Sequence, residues 1–351
     1  MENILVTGGC GFIGSHVALG LLEKGFKVTV IDSNINSSST TIDKIKKIAS
    51  NSFNSIEFIK GDIRNDIALE NIFKEFIRKG SEIKAVIHLA GLKSVKESIK
   101  KPIEYWDNNV LGSLSLFRTM IKFKCFNIIF SSSATVYGNP KSIPIFEADE
   151  KNPINTYGET KLTIEKILRD LHSVNNFNVI LLRYFNPIGA HYSGLIGENL
   201  IDISDNIFPN ILQVALNKQS YLKIFGNSWP TSDGTAVRDF IHVMDLADAH
   251  IKALNYLKDK DSFLLALNIG TSYPCSILEL IETFENINKV KIPYKFFEKR
   301  SGDAPFLLAN CSLAKNTINW ETKKNLNDMC KDGWNYAKQN FNDFCNFNAK
   351  K

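Results

Sequence analysis

VTGGCGFIGSH, residues 6–16, closes a short β-branched run, NILVTG (3–8), and opens a helix-patterned one, GSHVALGLLEKG (14–25). Gly8, Gly11 and Gly14 therefore fall at a strand-to-helix turn. Glycines there permit a tight turn, a close backbone approach to a pyrophosphate, and close packing of helix on strand; the helix N-terminus then offers unpaired N–H groups to phosphate oxygens. The spacing is G-x-x-G-x-x-G rather than the G-x-G-x-x-G of the dinucleotide fingerprint, and a glycine turn without a ligand is the plainer alternative. Its place in the first β-α-β unit favours the dinucleotide reading.

Outward from this turn, FKVTVID (26–32), IEFIKGD (56–62), KAVIHLA (84–90), FNIIFSSS (126–133) and NVILLRY (178–184) read as further strands. They are nearly continuous in apolar character and separated by helix-sized gaps, as strands buried on both faces are. Alternating strand and helix predicts a Rossmann-type α/β fold with a doubly wound parallel sheet. Helical patterns cover 14–25 and 108–123, and return at 244–257 and 276–288. After about residue 187 the chain becomes loop-like, as in PIGAHYSGLIGENLIDISDN and IFGNSWPTSDGTAVRD. The expected division is a nucleotide-binding domain over 1–187 and a smaller, interleaved α/β substrate domain over 188–351, with parts of 234–270 returning to the first. The tail beyond about residue 340 is expected to be loose.

At 351 residues with 44% hydrophobic content the chain can build a sizeable core. Its net charge of +5 is spread by interleaved lysines and acids, as in KSVKESIKK, which excludes a nucleic-acid footprint. The six cysteines (10, 125, 275, 311, 330, 345) are scattered without a C-x-x-C pair, so neither a metal site nor a disulfide framework is expected, and a reducing cytoplasm fits. No run approaches a membrane span, and MENILVTGG lacks the marks of a signal peptide.

Asp32 ends the second strand 18 residues after Gly14, near the offset at which an acid accepts from ribose hydroxyls. Its charge would repel a 2′-phosphate, favouring NAD over NADP; a turn or helix cap is the alternative. Asp62 closes the third strand and could approach the adenine or simply end a strand. Ser131, Ser132, Ser133 and Thr135 follow the fifth strand, where open parallel sheets bind ligands, although a serine run also suits a plain turn. In NTYGETKLTIEK (155–166), Tyr157 and Lys161 are one helical turn apart. An ammonium beside a phenol favours the phenolate, so the pair could move protons. Tyr137/Lys141 and Tyr256/Lys260 share that spacing, but the first spans Gly138 and Pro140 and the second closes a helix end. Only Tyr157 stands at the start of a good helix pattern, capped by Asn155 or Thr156.

Together with VIHLAGLKSVKES, YWDNNVLGSL, IFSSSATVYG, LLRYFNPIGAH, DGTAVRDFIHVMDLADAH and RSGDAP, these stretches resemble the extended, nucleotide-sugar-modifying branch of the short-chain dehydrogenases/reductases, and within it the UDP-hexose 4-epimerases. The resemblance covers nearly the whole chain. It implies resident NAD, met by Gly8, Gly11, Phe12, Ile13, Gly14, Asp32, Ser33, Asn36, Ser37, Asp62, Ile63, Leu89, Ala90, Lys93, Asn108, Ser133, Tyr157, Lys161, Tyr184 and Phe185. It implies a UDP-sugar held by Lys93, Ser133, Thr135, Tyr157, Asn186, Asn206, Ile207, Phe225, Arg238, Arg300, Asp303 and Leu307. Tyr157 would be the base, Ser133 its partner on the sugar 4-OH, and Lys161 the cation lowering the phenol's pKa. Arg238 beside Asp239, and Arg300 two before Gly302, could otherwise be surface ion pairs.

The implied activity is reversible C4 epimerisation of UDP-galactose and UDP-glucose through a 4-keto sugar, in a homodimer pairing helices 108–123 and 155–171. Ser33, the ISDNIF stretch and Leu307 depart from the family's usual pattern, and Leu307 leaves tolerance of N-acetylated sugars open. A 4,6-dehydratase would need an acid after Ser133, where this chain has Ala134 and Thr135. A UDP-glucuronate enzyme or a non-catalytic NAD sensor are the remaining alternatives.

Overall fold

The computed structural model describes residues 1–50, 55–199, 206–258, 260–300 and 303–341. The expectations for Cys345, for most of the tail, and for the ISDNIF stretch before Asn206 lie outside the described residues.

Six strands fall where the apolar runs predict: β1 Asn3–Thr7, β2 Lys27–Asp32, β3 Ile56–Lys60, β4 Ile83–His88, β5 Asn127–Ser133 and β6 Asn178–Tyr184. A seventh, β10 Leu264–Ile269, completes a sheet ordered β10-β6-β5-β4-β1-β2-β3, every pairing parallel. Strand periodicity sorts the side chains onto two faces. Ile4 and Val6 pack with helices α1 (Phe12–Glu23) and α9 (Val243–Leu257), through Val17, Leu21, Leu246 and Leu254. Leu5 packs on the other face with α3 (Asp66–Arg78), α6 (Gly112–Lys122) and α7 (Thr156–Asn175), through Phe73, Phe117 and Leu168. Chain order reverses between β1 and β4, which opens a crevice beyond their carboxyl ends.

The segment 234–270 divides between two sheets. Strand β9 (Val237–His242) pairs with β7 (Asn186–Ile188), β11 (Pro274–Ser276) and β13 (Phe306–Leu307), whereas α9 and β10 belong to the seven-stranded layer. A second core joins α8 (Ile207–Ala215), α10 (Ile277–Asn288) and α12 (Leu326–Gln339) through Phe208, Phe284 and Met329. Beside it, β8 (Leu222–Phe225) and β12 (Tyr294–Phe297) form a parallel pair. Asp239 of β9 is fully buried and ties two other segments to the strand, accepting from Thr271 N (2.7 Å), Thr271 Oγ1 (2.8 Å), Ser272 N (3.1 Å) and Ala309 N (3.1 Å).

One expectation needs correction. The helix predicted over 108–123 starts only at Gly112; before it run α4 (Val95–Lys100), α5 (Pro102–Tyr105) and a π-helical turn (Trp106–Leu111). Leu116, Phe117, Met120, Ile164 and Leu168 pack on the sheet face, while Val95, Ile99, Ile103, Trp106 and Leu111 before α6, and Val174 near the end of α7, are exposed.

Candidate active site

The glycine turn is shaped by contact. Gly8 has φ +71°, and a Cβ there would sit 2.8 Å from Ala90 N. Gly11 caps α1 with no side-chain hydrogen bond, and the first turn of α1 carries no acid, so its N–H groups face the crevice without a local anion. Phe12 and Ile13 begin that helix. Asp32, buried at the end of β2, accepts from Cys10 N (3.0 Å), Asn34 N (2.9 Å) and Ser37 Oγ (2.7 Å). A carboxylate has about four acceptor positions, so three donors leave one for a ribose hydroxyl. Ser33 is half-buried and Asn36 exposed on the following loop. The carboxylate of Asp62 is already gripped by Arg64 (Nε 3.1 Å, Nη2 2.6 Å), whose guanidinium holds it below its usual pKa; Ile63 packs into the α3 core. These features fit a dinucleotide at the expected residues.

After β4, Leu89 and Ala90 are bonded back to Thr7. His88 stands behind this loop, 2.7 Å from Thr7 Oγ1 and 2.9 Å from Ser113 Oγ. Burial, with Lys161 nearby, pushes its pKa down to about 3. The unfolded chain takes a proton on this ring below about pH 6.5 and the native chain does not, so its contribution to stability falls as pH drops from about 6.5 toward 3, at about 1.4 kcal/mol per pH unit. His88→Gln is expected to flatten the pH dependence of urea unfolding between pH 6 and 5 by about 1 kcal/mol relative to the parent; an unchanged slope would show that this ring titrates normally.

Asn108, predicted to touch cofactor, is half-buried and gives its amide to the Glu104 carbonyl (2.8 Å). Its neighbour Asn109, which the sequence reading missed, is the buried one. It bonds Leu92 N (2.8 Å), Leu92 O (3.1 Å) and Thr160 Oγ1 (3.0 Å), joining the 89–93 loop to α7. Only tertiary packing distinguishes two adjacent asparagines. Lys93, on the same loop, reaches Glu198 at 2.6 Å, a partner equally invisible in sequence.

Helix α7 is capped by Asn155, whose side chain accepts from Gly158 N (2.9 Å), and Tyr157 and Lys161 lie on its buried face. Lys161 Nζ donates to Ser131 O (2.7 Å) and lies 4.8 Å from the centre of the Phe130 ring and 5.8 Å from that of Tyr157. Ser133 bonds Thr135 N (3.2 Å) and stands beside the phenol. Tyr184 hydrogen-bonds Ser131, and burial raises its pKa; Phe185 joins a small core with Tyr137 and Leu162. Thr135 Oγ1 is buried with no partner among the described residues. Burial pushes the Tyr157 phenol up to about 12, the Ser133 bond pulling the other way, and burial lowers Lys161 to about 7. Desolvation penalises both charges more than their spacing helps them.

The second cluster gathers at β9 and β13. Arg238 opposes Leu307 in register and donates to Val237 O (2.9 Å) and Ala304 O (2.8 Å), while Asp239 turns to the other side, so these two form no ion pair. The Arg300 guanidinium lies 4.2 Å from the Phe225 ring centre and its Nε is 3.3 Å from Asp303. Burial lowers the pKa of Arg238; Asp303 opposes and Arg300 reinforces that shift. Two guanidiniums against one carboxylate leave net positive charge, which suits a diphosphate. Asn186 starts β7, and Asn206 with Ile207 starts α8. A cavity of about 720 Å³ bordered by Phe73, Phe123 and Phe126 lies at the opposite, amino ends of the strands and holds none of these residues. No cluster of three metal-ligating side chains occurs among the described residues.

The model of the family described as GDP-mannose 4,6 dehydratase matches residues 5–333. The chain is 45% identical over 340 residues to UDP-glucose 4-epimerase 2 of Arabidopsis thaliana, covering 97% of this chain and 96% of that one. It is 43% identical over 342 residues to UDP-glucose 4-epimerase of Bacillus subtilis (strain 168), covering 97% and 98%. Among solved structures, the UDP-glucose-4-epimerase of Stenotrophomonas maltophila with bound NAD and formylated UDP-arabinopyranose superposes with a TM-score of 0.93 at 39% identity, over 98% of this chain and all of that one.

Proposed function

The chain belongs to the UDP-glucose 4-epimerases of the GDP-mannose 4,6 dehydratase family, and we infer that Tyr157, Ser133 and Lys161 carry its proton transfers. The reaction is the reversible, NAD-dependent C4 epimerisation of UDP-galactose and UDP-glucose through a 4-keto sugar. When bound, NAD would supply a reversible hydride acceptor for the sugar C4, and the positive charge of its nicotinamide would favour the phenolate.

Tyr157 removes the 4-OH proton and later gives it back. Ser133, bridging phenol and sugar hydroxyl, orients that proton, and Lys161 holds the strand end through Ser131. Thr135, with its unpartnered hydroxyl, accepts a sugar contact. Arg238, Arg300 and Asp303 hold the UDP, with the uracil side bounded by Phe225, Asn206 and Ile207, while the flat sugar turns over between Asn186, Lys93 and Leu307. Gly8, Gly11, Gly14 and Asp32 hold the dinucleotide. In this reading residues 1–187 serve the cofactor and 188–351 mainly the sugar nucleotide, with α9 and β10 returning to the cofactor layer.

The single observation that carries this reading is the meeting of Tyr157, Ser133 and Lys161 at the carboxyl end of β5, two strands from the glycine turn. Ala134 and Thr135 offer no carboxylate there for a dehydratase. The substrate pair is tested by NMR of the sugar C4 proton, with UDP-galactose, UDP-N-acetylgalactosamine and UDP-glucuronate each given with NAD. Conversion of UDP-galactose to UDP-glucose without net reduction of NAD is expected, and conversion of UDP-glucuronate alone would overturn the assignment.

The exposed Val95, Ile99, Ile103, Trp106 and Leu111 form an apolar strip beside α7 that supports a homodimer. No described helix is long and apolar enough to cross a membrane, and the five described cysteines are free thiols, which supports a cytoplasmic enzyme.

A further inference from the structure

Helix α7 presents three side chains at successive turns of one face: Tyr157, Lys161 and Glu165. The third has no part in the proton transfers above, yet its side chain is wholly buried, as is that of Arg183 on β6. Glu165 Oε1 accepts from Arg183 Nε (2.8 Å) and Oε2 from Arg183 Nη2 (2.6 Å). The remaining guanidinium nitrogen donates to Tyr137 Oη (2.9 Å) and the Glu147 carbonyl (3.0 Å). A buried ion pair recovers little or no net stability after desolvation, so stability alone is a weak reason for one beneath a reaction centre.

Two contacts connect this pair to the site. Glu165 Oε1 also accepts from Ser132 Oγ at 2.6 Å. Ser132 lies between Ser131, whose carbonyl receives Lys161 Nζ, and Ser133, which stands beside the phenol. The titratable groups around Lys161 are Tyr157 and Glu165 on its own helix, His88 from β4, and Tyr184 from β6 through Ser131. His88 is neutral and both phenols are protonated in the ligand-free chain, so Glu165 is the anion of this set. Its charge raises Lys161 against the burial that lowers it, although the same carboxylate is also held by two nitrogens of Arg183, whose third reaches Tyr137 and Glu147.

We propose that Glu165 is a positioning residue for the epimerisation: held by Arg183, its carboxylate fixes the middle serine of the strand end and keeps the Lys161 ammonium charged. This rests on the assignment of Tyr157 and Lys161 above. The working state pairs a phenolate with an ammonium, and loss of the Glu165 charge makes that ammonium give up its proton at lower pH. The deficit therefore grows with pH, whichever of the two groups titrates first.

The test is kcat/KM for UDP-galactose from pH 5.5 to 9 with the NAD-loaded enzyme. For Glu165→Gln, the wild-type-to-variant ratio is expected to rise about tenfold or more across that range, one unit in the Lys161 pKa being a factor of ten. Glu165→Asp, which keeps the charge, is expected to give a flat ratio. Should Glu165→Gln leave Arg183 too exposed to fold, the neutral pair Glu165→Gln/Arg183→Gln is expected to show the same rise. A ratio independent of pH in whichever of these neutral variants folds overturns the proposal. Turnover surviving in Tyr157→Phe instead removes the catalytic assignment and this proposal with it, whereas an inactive Tyr157→Phe beside a flat Glu165→Gln ratio overturns only the role of Glu165.

Discussion

Tyr157→Phe is expected to lower kcat for UDP-galactose by about 10²–10⁴-fold, the range that a positioned general acid–base supplies, while NAD and UDP still bind. The substitution removes one oxygen and keeps the ring that packs beneath the site. Burial, which holds the phenol near 12 in the ligand-free chain, makes the requirement steeper. Ionisation at pH 7 then needs about 5 units, or about 7 kcal/mol of bias, against about 4 kcal/mol for a phenol starting at its solution value of about 10. Lys161 cannot supply this alone, since its own pKa is pulled to about 7. Turnover within a few-fold of wild type in Tyr157→Phe, measured at saturating substrate, would remove the base assignment.

Gly14→Ala is expected to abolish stable NAD binding and to lower the thermal midpoint. Alanine is normally the better helix former by up to about 1 kcal/mol, so propensity alone predicts stabilisation at this position inside α1. The space decides otherwise. A Cβ at Gly14 would lie 2.2 Å from Gly8 O and 2.8 Å from Gly9 Cα, both backbone atoms that no rotamer change can move. Helix α1 has to retreat from the turn, and the N–H groups that receive the pyrophosphate retreat with it. Overpacking of this kind costs about 1–3 kcal/mol of stability, on top of the lost ligand. Calorimetric titration of the variant with NAD checks the first effect and thermal unfolding the second; NAD affinity within a few-fold of the parent would show that the turn tolerates the methyl.

Much of this molecule is local information, and the sequence alone determined that part. The β-branched runs, the three glycines at a strand-to-helix turn, Asn155 as a cap and the i, i+4 spacing of Tyr157 and Lys161 each follow from backbone preferences within a few residues, and those preferences act wherever the chain lies. The expected helix begins at 108 because Val110 and Leu111 continue the apolar pattern of α6, and nothing in the sequence marks the π-helical turn that ends at Leu111.

Tertiary structure alone decided which asparagine of the 108–109 pair is buried, that Glu198 meets Lys93, that Arg238 avoids Asp239, and that Glu165 lies locked against Arg183. It also buries the Tyr157 phenol, which pushes its pKa up. The physical reason is common to these cases: desolvation and long-range pairing depend on what surrounds a group in three dimensions, and residues distant along the chain set those surroundings.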